Sequence, residues 1–524
     1  MRILITGSGT KLGRALVKAL AARHEIKTLD LAITAGAETP SIVGDPRDRD
    51  VAARATADCD MIVHPAALVA SSATPLDVLD AATRGTYNLL TTASSAKRFV
   101  LLSSLRHFER YPSDWWVTEQ WAPRPSTDVA DLAPYLAEVA TREVARVLPL
   151  AAIGLRLGQV VDDADIASHA ADPRWLHLED AVQAVERAIE FELPSDGPRH
   201  GWWVYHIVGA GSKTRFPLGM AGVAPFGYVP KHDLVSGKHQ AAAPTPTHAI
   251  PRFTDRVGGA ARKVVVFGAG GPLAAVTTEA LVRDHTLRLT DVRPLAEIVA
   301  DGKLQSPGAP LPRLLDPPHE SRVVDVVNPE HVLAAARGMD AIINCTVVRP
   351  HPVQAFRVNT LGAYNVMRAA VACGIRRVVH TGPQQVTLPY PGGYWYDFGL
   401  GSDVPSRPGD RLYILSKFLG QEICRIFAEE HDLEVPTLLF SSFVNPTTPA
   451  PRTVGAFAFS ISWNDSGEAM RQALRAPGFP HPFEVMHIVG DLPHGKYSNE
   501  KAKSLLAWQP RDRLEDHWRR PADR

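Results

Sequence analysis

Two glycine-rich turns carry the first chemical signal in the chain. One reads Gly7-Ser-Gly9-Thr-Lys-Leu-Gly13 and the other Gly268-Ala-Gly270-Gly271-Pro-Leu-Ala274. Each follows a short apolar run and precedes a helix-length segment. Glycine lets backbone approach a pyrophosphate, and the helix start beyond it offers unpaired N–H groups and a positive dipole end. Asp30 follows Gly13 by 17 residues, and Asp291 holds the matching place in the second copy. A carboxylate there accepts ribose hydroxyls and repels a 2′-phosphate. Both loops depart from regular spacing, with Thr10 at a middle glycine position and Ala274 at the last one. The ordinary alternative is a tight turn beside an empty crevice. A second signal is a tyrosine spacing. In "YILSKFLGQEICR" (413–425) Tyr413 and Lys417 lie one helical turn apart on one face, whereas in "YLAEVATREVAR" (135–146) Tyr135 is followed by Val139.

These groups need elements that repeat. "MRILITGSGTKLG" (1–13) pairs with "KVVVFGAGGPLA" (263–274), "IKTLDL" (26–31) with "LRLTDV" (287–292), and "DCDMIVHPAA" (58–67) with "GMDAIINCTV" (338–347). Three further pairs follow in the same order, ending with "YHIVGAG" (205–211) and "MHIVGDL" (486–492). Ordered self-similarity of this kind marks a duplicated unit. Runs such as Ile3–Thr6, 61–64, 99–102, 264–267, Ala341–Asn344 and 378–381 are continuously apolar or β-branched. They alternate with amphipathic stretches such as 12–23 and 87–97. Buried parallel strands alternating with helices make a doubly wound α/β fold. The expectation is two tandem Rossmann-like lobes, 1–212 and 262–524, joined by a linker over 213–261. Its Ala/Pro/Gly-rich part begins near 240, while 214–235 is apolar enough to pack on a lobe.

Bulk properties narrow the classes. Lys plus Arg and Asp plus Glu both number 56, so no global attraction to nucleic acid or anionic membrane is expected. Cys59, Cys345, Cys373 and Cys424 are far apart and form no CxxC pair, which fits a reducing compartment without disulfides or zinc. No signal-peptide pattern or membrane-length apolar run appears, and the chain is expected to be cytoplasmic. His64, His107 and His380 sit near strand ends, but no HxxxH or HExxH spacing supports a metal.

With these motifs in place, the chain resembles the extended short-chain dehydrogenase/reductases, the NAD-dependent epimerase/dehydratases. The resemblance rests on Thr6 to Gly13, "VGDPRD" (43–48), "IVHPAA" (62–67), "GTYNLL" (85–90) and "KRFVLLSS" (97–104). The second lobe adds "NTLGAYNVMRAA" (359–370), "RPGDRLYILSKFLGQE" (407–422) and "VNP" (444–446). "YILSKFLGQEICRIFAEEHDLE" and "ISWND" are loosely similar to uronate dehydrogenases. The resemblance implies NAD as cofactor, with Asp45 and Asp325 on the adenine. It implies a Ser or Thr, a Tyr and a Lys as the chemical groups. An ammonium beside a phenol favours phenolate, which then serves as base, and the lysine also holds the nicotinamide ribose.

Mapped onto this chain, Ser104 and Tyr135 fall at two of the three positions in the first lobe, and Val139 replaces the lysine. In the second lobe Tyr413 and Lys417 are present, but Pro383 takes the hydroxyl position. Thr381, two residues earlier on the same strand face, is the substitute. Aromatic segments at 110–123 and 388–399 precede the two tyrosines; they either face a sugar or base, or seal a lobe–lobe contact. The expectation is an internal pseudo-dimer whose second lobe transfers hydride between a sugar, uronate-like or other secondary alcohol and NAD. The first lobe is then catalytically degenerate. Two alternatives stay open: an NAD-binding pseudoenzyme, and a sugar epimerase or dehydratase with retained NAD.

Overall fold

The computed structural model of the chain describes residues 1–32, 41–192, 201–211, 214–234, 262–305, 308–387, 397–446 and 458–514. It divides into two compact units, Met1–Ala249 and Ile250–Arg524. The first unit is built on seven strands: β1 (Arg2–Thr6), β2 (Glu25–Asp30), β3 (Ser41–Val43), β4 (Met61–Pro65), β5 (Arg98–Ser104), β6 (Ala151–Leu157) and β7 (Gly201–Ile207). Their order in the sheet is β3-β2-β1-β4-β5-β6-β7, with every pairing parallel. The second unit repeats this with β8 (Lys263–Phe267), β9 (Thr286–Asp291), β10 (Glu320–Val323), β11 (Ala341–Asn344), β12 (Arg377–Pro383), β13 (Val435–Phe440) and β14 (Phe483–His487). The order is β10-β9-β8-β11-β12-β13-β14, again all parallel. Strand order reverses beside β1 and beside β8, and the crevice at such a reversal is where ligands bind in this architecture.

The apolar runs become central strands because both sheet faces are covered. Ile3, Ile5, Val63, Val100, Ile153 and Leu155 share one buried cluster with helix residues Leu16, Leu20, Ala184 and Val185. Val264, Val266, Ile343, Val379 and Leu438 do the same with Met470, Ala473 and Trp508 in the second unit. The apolar stretch after 213 is part of the first unit's packing. Phe226 and Tyr228 join its main core, and Tyr228 donates its hydroxyl to the Val208 carbonyl at 2.9 Å. The rest of the expected linker, from 235 to 261, lies outside the described residues, as does most of the 388–399 aromatic segment.

The duplication extends to irregular features. Each unit has a π-helical turn, at Ala81–Gly85 and at Arg357–Leu361. Just beyond it Asn88 donates to the carbonyls of Pro46 and Arg47, and Asn365 donates to those of Val326 and Val327. Arg98 opens β5 and donates to the carbonyls of Ala188 and Ile189 at a helix end, while Arg377 opens β12 and donates to those of Ala473 and Leu474. A guanidinium there satisfies carbonyls that a helix C-terminus leaves open. These matched contacts fix the correspondence between the units residue by residue. One expected helix, over 87–97, is shorter: it stops at Thr92, where Ala93 leaves helical geometry.

Candidate active site

The glycine loop of the second lobe ends at helix α1 (Pro272–Leu281). Gly268 has φ +80°, and a Cβ there would lie 3.0 Å from the Cys345 carbonyl carbon and the Thr346 nitrogen. A side chain at Gly270 would meet Ile298 at 2.6 Å and the Asp291 carboxylate at 2.9 Å. The loop is thus held close against β9 and β11 by the absence of side chains. Gly271 caps α1 with no side-chain hydrogen bond, and Pro272 occupies its first turn. The amides of that turn therefore remain available to an anion. Asp291 accepts from the Gly270 N–H at 2.9 Å, and Asp325 accepts from the Val327 N–H at 2.9 Å. Each carboxylate keeps further lone pairs for a ligand hydroxyl or amine. This cradle suits a dinucleotide: anion-binding amides beside the sheet reversal, and two acids beyond them.

The first lobe spends the same positions on itself. Asp30 accepts from the Ser8 hydroxyl and from the Gly9 N–H. Thr10 Oγ1 accepts from the Gly13 N–H at 3.0 Å, taking one helix-start amide. The threonine at the irregular loop position is therefore a helix cap. Gly13 is obligatory, since a Cβ would lie 2.1 Å from the Gly7 carbonyl oxygen. Asp45 is engaged by Arg47, with Nη2 at 2.6 Å, and Arg47 also reaches Asp77. The position equivalent to Arg47 in the second lobe is Val327.

Helix α2 (Leu412–Glu430) carries Tyr413 and Lys417. Lys417 is 3% exposed and donates to the Thr346 carbonyl at 3.3 Å. Burial lowers its pKa to about 8. Thr346 lies in the loop after β11 that abuts Gly268, so the lysine and the glycine loop meet on one short segment. Tyr413 is half-buried at the first turn of α2. Burial raises its phenol, and the Arg349 guanidinium, 5.4 Å from the ring centroid, opposes that shift by charge and hydrogen bonding. Asn359, 2% exposed in the π-helical turn, binds this assembly together. Its side chain accepts from the Val348 N–H at 3.0 Å and donates to the Val348 carbonyl at 2.7 Å and to Ser416 Oγ at 3.0 Å.

Thr381 lies in β12, 6% exposed, and donates its hydroxyl to the Asn344 carbonyl at 2.8 Å. Pro383 ends β12, paired in register with Phe440. His380 is buried in the same strand, and desolvation, reinforced by the charge of Lys417, lowers its pKa well below the usual histidine range. His64 is fully buried between Thr6 and Thr86 with its pKa lowered to about 3, a core histidine in a polar pocket.

In the first lobe the corresponding helix is Val129–Ala145. Tyr135 and Val139 are buried in it, and Tyr135 packs edge-on against His107 at 5.9 Å. Glu138 stands where Ser416 stands in α2. It pairs with Arg156 at 2.9 Å and lies 3.3 Å from His107 Nε2, which also meets Ser103 Oγ at 3.0 Å. Arg156 and His107 hold the buried Glu138 carboxyl far below its usual range despite desolvation. Ser104 accepts from the Arg106 N–H and caps a short 3-10 turn. Where the second lobe has a lysine and a tyrosine beside a glycine cradle, the first has a closed ion-pair network.

One group in the first lobe has the composition of a metal site: His177, Glu179 and His232, with ligand atoms within 4.8 Å of one another. His177 Nδ1 accepts from the Glu179 N–H at 3.2 Å as a helix cap. That bond puts the proton of the neutral ring on Nε2, so no lone pair is presented there without breaking the cap. Sequence spacing gave no hint of this triplet, because His232 comes from the packed stretch after 213. Arg349 and Asn359 also escaped sequence reasoning; the only signal was the polar Asn opening "NTLGAYN".

Known proteins supply the remaining evidence. The profile of the NAD dependent epimerase/dehydratase family matches residues 3–138 and again 264–462. The L-arabinose 1-dehydrogenase (NAD(P)(+)) of Haloferax volcanii is 26% identical over 269 residues, covering 48% of this chain and 96% of that protein. The uronate dehydrogenase of Agrobacterium fabrum is 29% identical over 194 residues, covering 36% of this chain and 68% of that one. A crystal structure of uronate dehydrogenase from Agrobacterium tumefaciens is 26% identical, with a TM-score of 0.39 over 48% of this chain and 85% of that one. Two Rossmann-like sheets, each with its glycine loop, and a profile matched once in each lobe establish that the chain belongs to the NAD dependent epimerase/dehydratase family.

Proposed function

We propose that the second lobe is an NAD-dependent oxidoreductase acting on a secondary alcohol of a sugar or uronate-like molecule, and that the first lobe has no turnover of its own. The observation that carries this reading is the buried Lys417, bonded to the Thr346 segment that also packs on Gly268, one turn beyond Tyr413. Gly268, Gly270, Gly271 and the start of α1 would hold the dinucleotide phosphates. Asp291 would take the adenosine ribose, Asp325 the adenine and Lys417 the nicotinamide ribose. Bound there, NAD supplies the acceptor for the substrate's hydride. Tyr413, as phenolate, takes the proton from the substrate hydroxyl as its oxygen becomes a carbonyl. Thr381 is the side-chain hydroxyl nearest in β12 to the Pro383 position, and polarising a substrate would require it to exchange its bond to Asn344. The sugar dehydrogenases among the relatives support the substrate class.

The test has two parts. NADH fluorescence titration should show saturable binding, and Lys417→Ala should abolish turnover on a panel of sugars and uronates. Full activity in Lys417→Ala would sink the proposal. A second reading, an NAD-binding protein without turnover, is favoured by Pro383, which brings no hydroxyl. NADH binding with no turnover on any alcohol of the panel would select it.

A further inference from the structure

We propose that Arg349 is a positioning residue for the reaction: its guanidinium, clamped over the Tyr413 ring, orients the phenol and stabilises its ionised form. This rests on the assignment of Tyr413 as the base. Arg349 follows β11 by five residues on an exposed loop, and its guanidinium carbon lies 5.4 Å from the ring centroid. A planar cation at that distance acts on the phenol directly through its charge. Lys417 is turned elsewhere. Its ammonium is buried and donates to the Thr346 carbonyl. It loses its charge above about pH 8, whereas a guanidinium keeps its charge throughout.

The arginine is held by construction. Asn359 grips both backbone polar groups of Val348, the residue before Arg349, and the same amide donates to Ser416. Ser416 in turn donates to the Tyr413 carbonyl at 3.1 Å. One side chain therefore fixes the arginine's loop to the tyrosine's helix. The first lobe lacks all the parts together. Between β4 and the matching π-helical turn the first lobe has no arginine or lysine anywhere from 65 to 83, so nothing there stands for Arg349. Counting from Asn88 and Asn365, Ala82 stands for Asn359, and Val139 stands for Lys417. A loop arginine with only a surface role would not be expected to disappear with the asparagine that holds it and the catalytic lysine.

Other charged or titratable groups on α2 are Lys417, Glu422, Cys424, Arg425, Glu429 and Glu430. The elements packed against it carry His351 before the π-helical turn, Arg357 within it, Tyr364 and Arg368 in the helix that follows, Arg377 and His380 in β12, and Glu484 and His487 in β14, with Cys345 after β11. Burial and Arg349 are what move Tyr413. The experiment follows tyrosinate absorbance of the full chain against pH, with Tyr413→Phe subtracted so that only this phenol is read. Neutral Arg349→Gln and Arg349→Met should each lower the phenolate fraction of Tyr413 at a given alkaline pH by roughly tenfold. Arg349→Lys should restore most of it. NADH titration of the same variants should be unchanged, which separates this role from cofactor binding. An unchanged Tyr413 titration in either neutral variant overturns the proposal, as does a shift that Arg349→Lys fails to reverse. If NADH fails to bind even the unaltered chain, the functional reading falls, while the phenol titration still decides the role of Arg349.

Discussion

Replacing Lys417 with methionine should make the second lobe more stable at neutral pH while removing its activity. The side chain is 3% exposed, and its pKa is lowered from 10.5 to about 8 by burial. Between those values the unfolded lysine holds a proton that the folded one has released. Stability therefore rises with pH through that window and is lost again as pH falls through about 8. At about 1.36 kcal/mol for each pKa unit, the charged amine costs the native state roughly 3 kcal/mol at pH 7. Methionine fills similar space with no charge. It forfeits the bond to the Thr346 carbonyl, worth about 1 kcal/mol. The net gain is about 2 kcal/mol at pH 7, falling to near zero by about pH 10, where the unfolded lysine is also becoming neutral. Urea unfolding of the variant and the unaltered chain at both pH values measures this directly. A Lys417→Met protein less stable at pH 7, or a gain equally large at pH 10, would refute the reasoning. The gain would mean that the lysine is kept against stability, as expected for a group retained for its chemistry.

Three further outcomes follow from the contrast between the lobes. Val139→Lys should restore no activity to the first lobe, because its loop and acids are already engaged by Ser8, Thr10 and Arg47; burying an ammonium at a position 1% exposed should lower the melting temperature. Asp291→Ala should weaken NADH binding at least tenfold by fluorescence titration, whereas Asp30→Ala, removing a carboxylate already held by Ser8 and Gly9, should leave it unchanged. Glu138→Gln should destabilise the first lobe by about 3 kcal/mol through loss of the buried pair with Arg156. Because the folded Glu138 carboxyl is depressed, its contribution is present above the unfolded value near 4.5 and is lost as pH falls well below it, which acid unfolding of the variant and the unaltered chain would show as a weaker pH dependence in Glu138→Gln.

What the sequence showed and what it hid divide along physical lines. Strands such as "RILIT" and "KVVVF" are readable because two-sided burial demands continuous apolar residues, and the glycine loops because backbone approach demands missing side chains. Tyr413 and Lys417 are readable because helical spacing is fixed. The contact of Arg349 with Tyr413 is not, since the 64-residue separation is bridged by a loop with no period. Alternation along β12 puts Thr381 in step with Pro383, but does not show that its proton goes to a neighbouring strand's carbonyl. Likewise "VGDPRD" reads as a family motif in the first lobe, yet only the fold shows Arg47 turning back onto Asp45. Whether a motif faces a ligand or its own neighbour is a matter of side-chain direction, which spacing does not encode.

The first lobe's habit of satisfying its own loop has a thermodynamic consequence. A site that waits for a ligand gains stability by mass action when the ligand is plentiful and loses it in scarcity. Ser8, Thr10 and Arg47 act as permanent internal ligands at an effective concentration no solute reaches. On the proposed assignment of the dinucleotide to the second lobe, the first half of the chain is insulated from the cell's nucleotide supply. On the same assignment the second half remains coupled to it, so one polypeptide would contain a buffered portion and a responsive one.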